Sequence, residues 1–161
     1  IQSLFIVNIP SCSRCREAVL YGLIFPDLPA EEFQKRYGAL IRKEGLHFVF
    51  LVSPTTSLER IRFLDSLSTA FVYAVSTRGV TGGHLALDES RDKYLQSLKD
   101  LRLEHPILCG FGISDRASFQ SVCGFAAGGI IGSALISRLG TSDSLSMNVG
   151  EFVRELGARQ D

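Results

Sequence analysis

Five short apolar runs recur along the chain, and none alternates with polar positions. Residues 22–26 read GLIFP, 47–52 HFVFLV, 70–76 AFVYAVS, 106–112 PILCGFG and 128–133 GGIIGS, with 4–7 a candidate sixth. Continuous apolar runs of this length suit strands buried on both faces, as in a parallel sheet covered by helices. The segments between them carry helical spacing. Phe33, Tyr37, Leu40 and Ile41 form one stripe, with Glu31 and Glu32 before it, Arg42 and Lys43 at its end, and Gly45 beyond. That charge order suits the helix dipole, and the glycine suits a left-handed cap. A second helix opens on the capping-box pattern Thr56-Ser57-Leu58-Glu59 and stripes through Leu58, Ile61 and Leu64. Tyr94, Leu95 and Leu98 mark a third, Phe119, Val122 and Cys123 a fourth. Val149, Phe152, Val153 and Leu156 mark the last.

Strands alternating with helices predict an α/β fold with a parallel sheet. No linker or composition break divides residues 1–161, so a single domain is expected. Periodicity does not separate an open doubly wound sheet from a closed barrel. The glycines and small polar residues cluster just after strands, at 53–56, 76–83, 110–114 and 132–133, which is the ligand-binding end in either architecture. No GxGxxG follows the first strand, and glycine turns follow two successive late strands. Both features favour the barrel.

Composition narrows the function classes. The 161 residues are 45% hydrophobic and carry 17 basic and 17 acidic side chains, so no charge excess supports a nucleic-acid or membrane-surface partner. No apolar run approaches the ~20 residues of a membrane span, and no secretory leader is expected at Ile1. Cys109 is placed at a strand end and Cys123 on the core side of a helix, a usage that fits a reducing, cytoplasmic setting. Cys12 and Cys15 have CxxC spacing, but His47, His84 and His105 supply no second ligand pair, so two reduced thiols are expected there.

Three motifs could carry chemistry. The first pairs Gly110-Phe111-Gly112-Ile113-Ser114 with Gly132-Ser133-Ala134. Backbone N–H groups hold a phosphate dianion well, and glycine lets the main chain approach it. Barrels commonly build such a site from the loops after their last two strands. The structural alternative is two tight turns that need positive φ. The second motif, residues 76–83 (STRGVTGG), suggests a lid in which Thr81 bonds a ligand or a partner side chain, against a merely flexible loop. The third is Pro26-Asp27-Leu28-Pro29, where Asp27 is either functional or a helix starter.

Taken in order, GLIFPDLP, FLVSPTT, FVYAVSTRGVTG, GFGIS and GGIIGSAL resemble the tryptophan synthase alpha-subunit family from about residue 22 to residue 136. The resemblance implies a phosphate-binding (β/α)8 TIM barrel, of which this chain covers roughly strands 3–8. It implies a carbon–carbon lyase that cleaves indole-3-glycerol phosphate to indole and glyceraldehyde 3-phosphate. Gly82, Gly112, Gly132 and Ser133 would then hold the phosphate, with Gly110 shaping its turn. Tyr73 would lie near the glycerol chain, and Ile24, Phe111 and Ile130 would wall the indole pocket. Thr81 would close with the lid, and Asp27 would relay closure to a beta-subunit partner in an alpha2-beta2 assembly. Pyridoxal phosphate is expected on that partner and not on this chain.

The family's acid–base pair, a glutamate on the second strand and an aspartate in the loop after it, precedes every matched motif. No catalytic residue is therefore assigned within the 161 residues, against roughly 250 in a full barrel. The chain is expected to be part of a longer protein. A non-catalytic alpha-like subunit that binds the phosphate ligand and activates a beta subunit is the second reading. A third is another phosphate-binding barrel enzyme of the same pathway, though the VSTRGVTG segment suits those relatives less well.

Overall fold

The structure, a computed structural model, describes residues 21–75, 84–110, 112–139 and 145–157. Strand β1 spans Gly22–Ile24, and helix α1 runs over residues 30–43. Strands β2 (His47–Val49) and β3 (Leu51–Val52) are followed by helix α2 (Leu58–Leu67) and strand β4 (Val72–Val75). Helix α3 (His84–Asp100) leads to β5 (Ile107–Gly110), α4 (Arg116–Cys123) and β6 (Gly128–Gly129). Helices α5 (Ser133–Leu139) and α6 (Leu145–Gly157) follow. The expected runs at 22, 47, 70, 106 and 128 all become strands; the candidate at 4–7 lies outside the described residues.

Every pairing is parallel, and the order β1-β2 with β3-β4-β5-β6 follows the chain without reversal. The run 47–52 is split only by partner: its first half pairs with β1 and its second with β4, while the Phe50 carbonyl accepts from Tyr73 N at 3.0 Å. Such stagger is what a tilted, closing sheet requires. A doubly wound sheet reverses strand order at a switch point, whereas right-handed crossovers taken always in one direction put all helices on one side. The order is that of a (β/α)8 barrel, in five consecutive strand positions.

The helix-facing side of the sheet is the core. Phe48, Val52, Val72, Ala74 and Cys109 are at most 1% exposed and cluster with Phe33, Ile61, Leu95, Leu98 and Val122 from the helices. Phe48 packs at a tilt against Phe33 (centroids 4.2 Å) and Phe50 (4.8 Å), and Phe50 meets Phe33 edge-on at 5.2 Å. Aromatic pairs of this kind add about 0.5–1.5 kcal/mol beyond their burial. Asp65 is buried at the same side, where its carboxylate accepts from Glu104 N (2.7 Å) and His105 N (3.1 Å) and so holds the approach to β5.

Several sequence expectations shift. In α1, residues Phe33–Tyr37 are π-helical, closed by Gly38 N–H on the Phe33 carbonyl. The wider turn moves the buried stripe to Phe33, Gly38 and Ile41 and leaves Leu40 exposed. The helix ends as anticipated at Gly45 (φ 67°), with Leu46 N bonded to Ile41 O and Gly45 N to Arg42 O, a Schellman cap. Helix α2 is capped by Ser57, whose Oγ accepts from Arg60 N; Thr56 instead bonds Ser53. Leu58, at the first helical position, points to solvent. Cys123 is exposed and not on the core side, because Val122 occupies the buried face of α4. Among the described side chains of α6 only Phe152 is buried, and Val149 and Val153 are exposed. No helix among the described residues is long and apolar enough to cross a membrane.

Candidate functional site

Strands β4, β5 and β6 lie side by side and end together, with Val75 opposite Gly110 and Cys109 opposite Gly129. The ladder runs one residue further, since Ile130 N donates to Cys109 O at 2.7 Å. The turns that start at Gly110 and Ile130 therefore leave the same edge of the sheet on neighbouring strands. Cys109 faces the helices at this edge, and burial pushes its thiol up to about 12, which keeps it neutral and unreactive.

Each glycine here has a different reason. At Gly110 an added Cβ would enter the Tyr73 ring, with Cζ at 2.8 Å, so glycine is what lets Tyr73 lie across β5. Burial raises the Tyr73 phenol above its ordinary value, which keeps it a neutral hydrogen-bonding group. Gly112 has φ 52°, a left-handed backbone that favours glycine. Gly132 differs from both: its backbone is not left-handed, and among the described residues an added Cβ would meet nothing within 4 Å. The tight-turn explanation thus holds at Gly112 and fails at Gly132. Exposed Ser133 follows and opens α5, with Ile136 N bonded to Gly132 O at 3.0 Å.

The turn after β5 is pinned on its far side. Asp115 caps α4 by accepting from Ser118 N at 2.8 Å, and Ser118 Oγ lies 3.2 Å from both Ser114 N and Asp115 N. The bonds its carboxylate accepts from Ser118 N and Ser118 Oγ draw the Asp115 carboxyl below its ordinary value. Tyr73, Gly110, Gly112, Ile130, Gly132 and Ser133 are thus gathered at the ends of three adjacent strands. Ile24 and Asp27 are not among them: Ile24 ends β1 at the other side of the sheet, 42% exposed, and Asp27 sits in the turn after it. Thr81, Gly82, Phe111, Cys12 and Cys15 lie outside the described residues.

Asp27 instead lines a cleft of about 250 Å³ with Phe25, Leu28, Phe50 and Arg60. Arg60 holds Glu31 through both guanidinium nitrogens and lies 5.1 Å from the Phe63 ring centroid. The ion pair lowers the Glu31 carboxyl to about 2. Sequence reading missed this fork, because Glu31 had been used for the helix dipole and nothing local links it to Arg60. Asp65 was missed too, although an acidic residue one place after Leu64 on an apolar stripe was a visible signal. No group of three or more metal-ligating side chains forms among the described residues.

Comparison with known proteins covers most of the chain. Residues 10–158 match the family model described as tryptophan synthase alpha chain. The alpha chain of Christiangramia forsetii is 40% identical over 147 residues, which are 91% of this chain and 57% of that one. That of Flavobacterium johnsoniae is 43% identical over 145 residues, 90% and 56% of the two chains. Among solved structures, the Pyrococcus furiosus tryptophan synthase A-subunit superimposes with TM-score 0.76 at 27% identity, over 92% of this chain and 59% of that one. Mycobacterium tuberculosis tryptophan synthase does so with TM-score 0.76 at 30% identity, over 93% and 55%. The chain spans little more than half the length of these relatives.

Proposed function

This chain belongs to the tryptophan synthase alpha chain family, and from that membership we propose that it is the phosphate-binding part of a lyase releasing indole from indole-3-glycerol phosphate. The observation that carries the reading is Gly132. Among the described residues neither backbone angle nor packing asks for glycine there, and beside the left-handed turn at Gly112 the open space leaves room for a ligand to come close. The amides of Gly112, Gly132 and Ser133 receive the phosphate from two neighbouring turns, and Gly82 adds a fourth amide from the lid. Tyr73, kept neutral and seated over Gly110, meets the glycerol chain. Ile24, Phe111 and Ile130 wall the indole, and Thr81 closes the lid over it.

Cleavage needs an acid and a base that protonate indole C3 and manage charge at the indole nitrogen. We assign that pair to carboxylates outside these 161 residues, so this part of the enzyme binds and orients. Asp27 faces a beta-chain partner in an alpha2-beta2 assembly, and pyridoxal phosphate belongs to the partner. The Mycobacterium structures are of tryptophan synthase, one of them an aminoacrylate-bound form, which supports a partner of this kind.

Competition binding of glyceraldehyde 3-phosphate and free indole to wild type and Gly132→Val tests the reading. The variant should lose at least about tenfold in affinity for the phosphate-bearing ligand and little for indole. Equal losses for both ligands reject the phosphate assignment.

A further inference from the structure

The two turns are joined by a contact that neither motif contains. An added Cβ on Gly129 would run into Cδ1 of Ile113 and come within 3.2 Å of Phe119 Cδ2. The tip of Ile113 therefore occupies the hollow that the missing side chain leaves on β6. Ile113 is 4% exposed and directly follows the left-handed Gly112, while Gly129 lies three residues before Gly132. On its other side the turn is held by the Asp115–Ser118 capping box. With Gly112 fixed between Gly110 on β5 and Ile113 seated against Gly129 of β6, the spacing of the two turns depends on how deeply Ile113 seats.

We infer that Ile113 and Gly129 form a knob and hollow that position the Gly112 amide relative to the Gly132–Ser133 turn. Neither residue touches the ligand; both are positioning residues, and the inference rests on the phosphate reading above. A side chain at 129 lifts Ile113 and carries Gly112 with it. Displacements of roughly 1 Å in a binding shell loosen a site that is otherwise intact. Shortening Ile113 to valine removes the atom that collides and reopens the hollow.

The test is a size exchange read by calorimetric titration with glycerol 3-phosphate, with urea unfolding run on each protein. Wild type must bind; if it does not, the phosphate reading fails and this inference falls with it. If wild type binds, Gly129→Ala should weaken binding about tenfold, and Gly129→Ala/Ile113→Val should return to within about twofold of wild type. The rescue must appear in affinity and not only in the unfolding midpoint, since repacking alone would move the midpoint. Wild-type affinity in Gly129→Ala, or a double variant no tighter than the single, overturns the inference while leaving the phosphate site standing. If Gly129→Ala does not fold, the double variant decides: near-wild-type affinity supports the coupling, and a folded protein that binds tenfold more weakly refutes it.

Discussion

The two faces of the same sheet are built on opposite rules. On the helix side Phe48, Val52, Val72, Ala74 and Cys109 are sealed against five helix residues. On the other side Tyr73, Val75, Leu108 and Gly110 are only half-buried, Ile24 is 42% exposed, and glycines replace side chains at 110 and 128. Alternation along β4 and β5 assigns successive residues to the two faces, so one strand serves both. The filled face specifies where the strands lie. The sparse face and the turns at its end leave room for something to approach.

If that contrast is right, substitutions on the filled face cost more stability than substitutions on the sparse face or in the turns at its end. The largest expected effect is Phe48→Ala. It removes a fully buried ring in contact with three others and should lower the free energy of unfolding by about 3–5 kcal/mol, read by urea denaturation. A loss below about 1 kcal/mol would mean the face is less tightly packed than its burial indicates. Gly110→Val comes next. Its side chain collides with Tyr73, and overpacking of this kind costs about 1–3 kcal/mol. Adding Tyr73→Ala should recover most of that cost, and a double variant as unstable as the single would show that Gly110 answers to some other constraint. The smallest effect concerns Asp115. Its carboxyl is lowered by the bonds it accepts from Ser118, so its contribution is complete above the ordinary carboxylate pKa of about 4. That contribution disappears as pH falls from there through the lowered folded value. Thermal midpoints measured against pH should therefore drop less steeply in Asp115→Ala than in wild type over that acid window.

The filled face was the more legible in the sequence. Runs such as HFVFLV and AFVYAVS need no partner to be recognised, because continuous burial is written residue by residue. The errors on that face came where geometry departed from the regular period. Phe33 and Tyr37 satisfy an α-helical stripe, yet the π-turn that ends at Gly38 rotates Leu40 outward, and no local residue announces it. The cap at Ser57 and not Thr56 is a one-residue choice between two hydroxyls. Cys123 and Val122 are adjacent apolar residues, and only the packed helix decides which turns inward.

At the sparse end the glycines were visible but their reasons were not. Gly110 answers to Tyr73 on another strand, Gly112 to its own backbone angle, and Gly129 to Ile113 across the β5–β6 register. The reasons at Gly110 and Gly129 are contacts that exist only once the sheet forms. Gly132 alone is explained by none of these, and that exclusion required the structure.

Whether one anion bridges the two turns can be read directly by adding inorganic phosphate to the 15N-labelled chain and following the backbone amides by NMR. Gly112 and Ser133 should shift together with a single shared midpoint, while amides on the helix-facing core stay still. Separate midpoints, or a response at one turn alone, would contradict a common site.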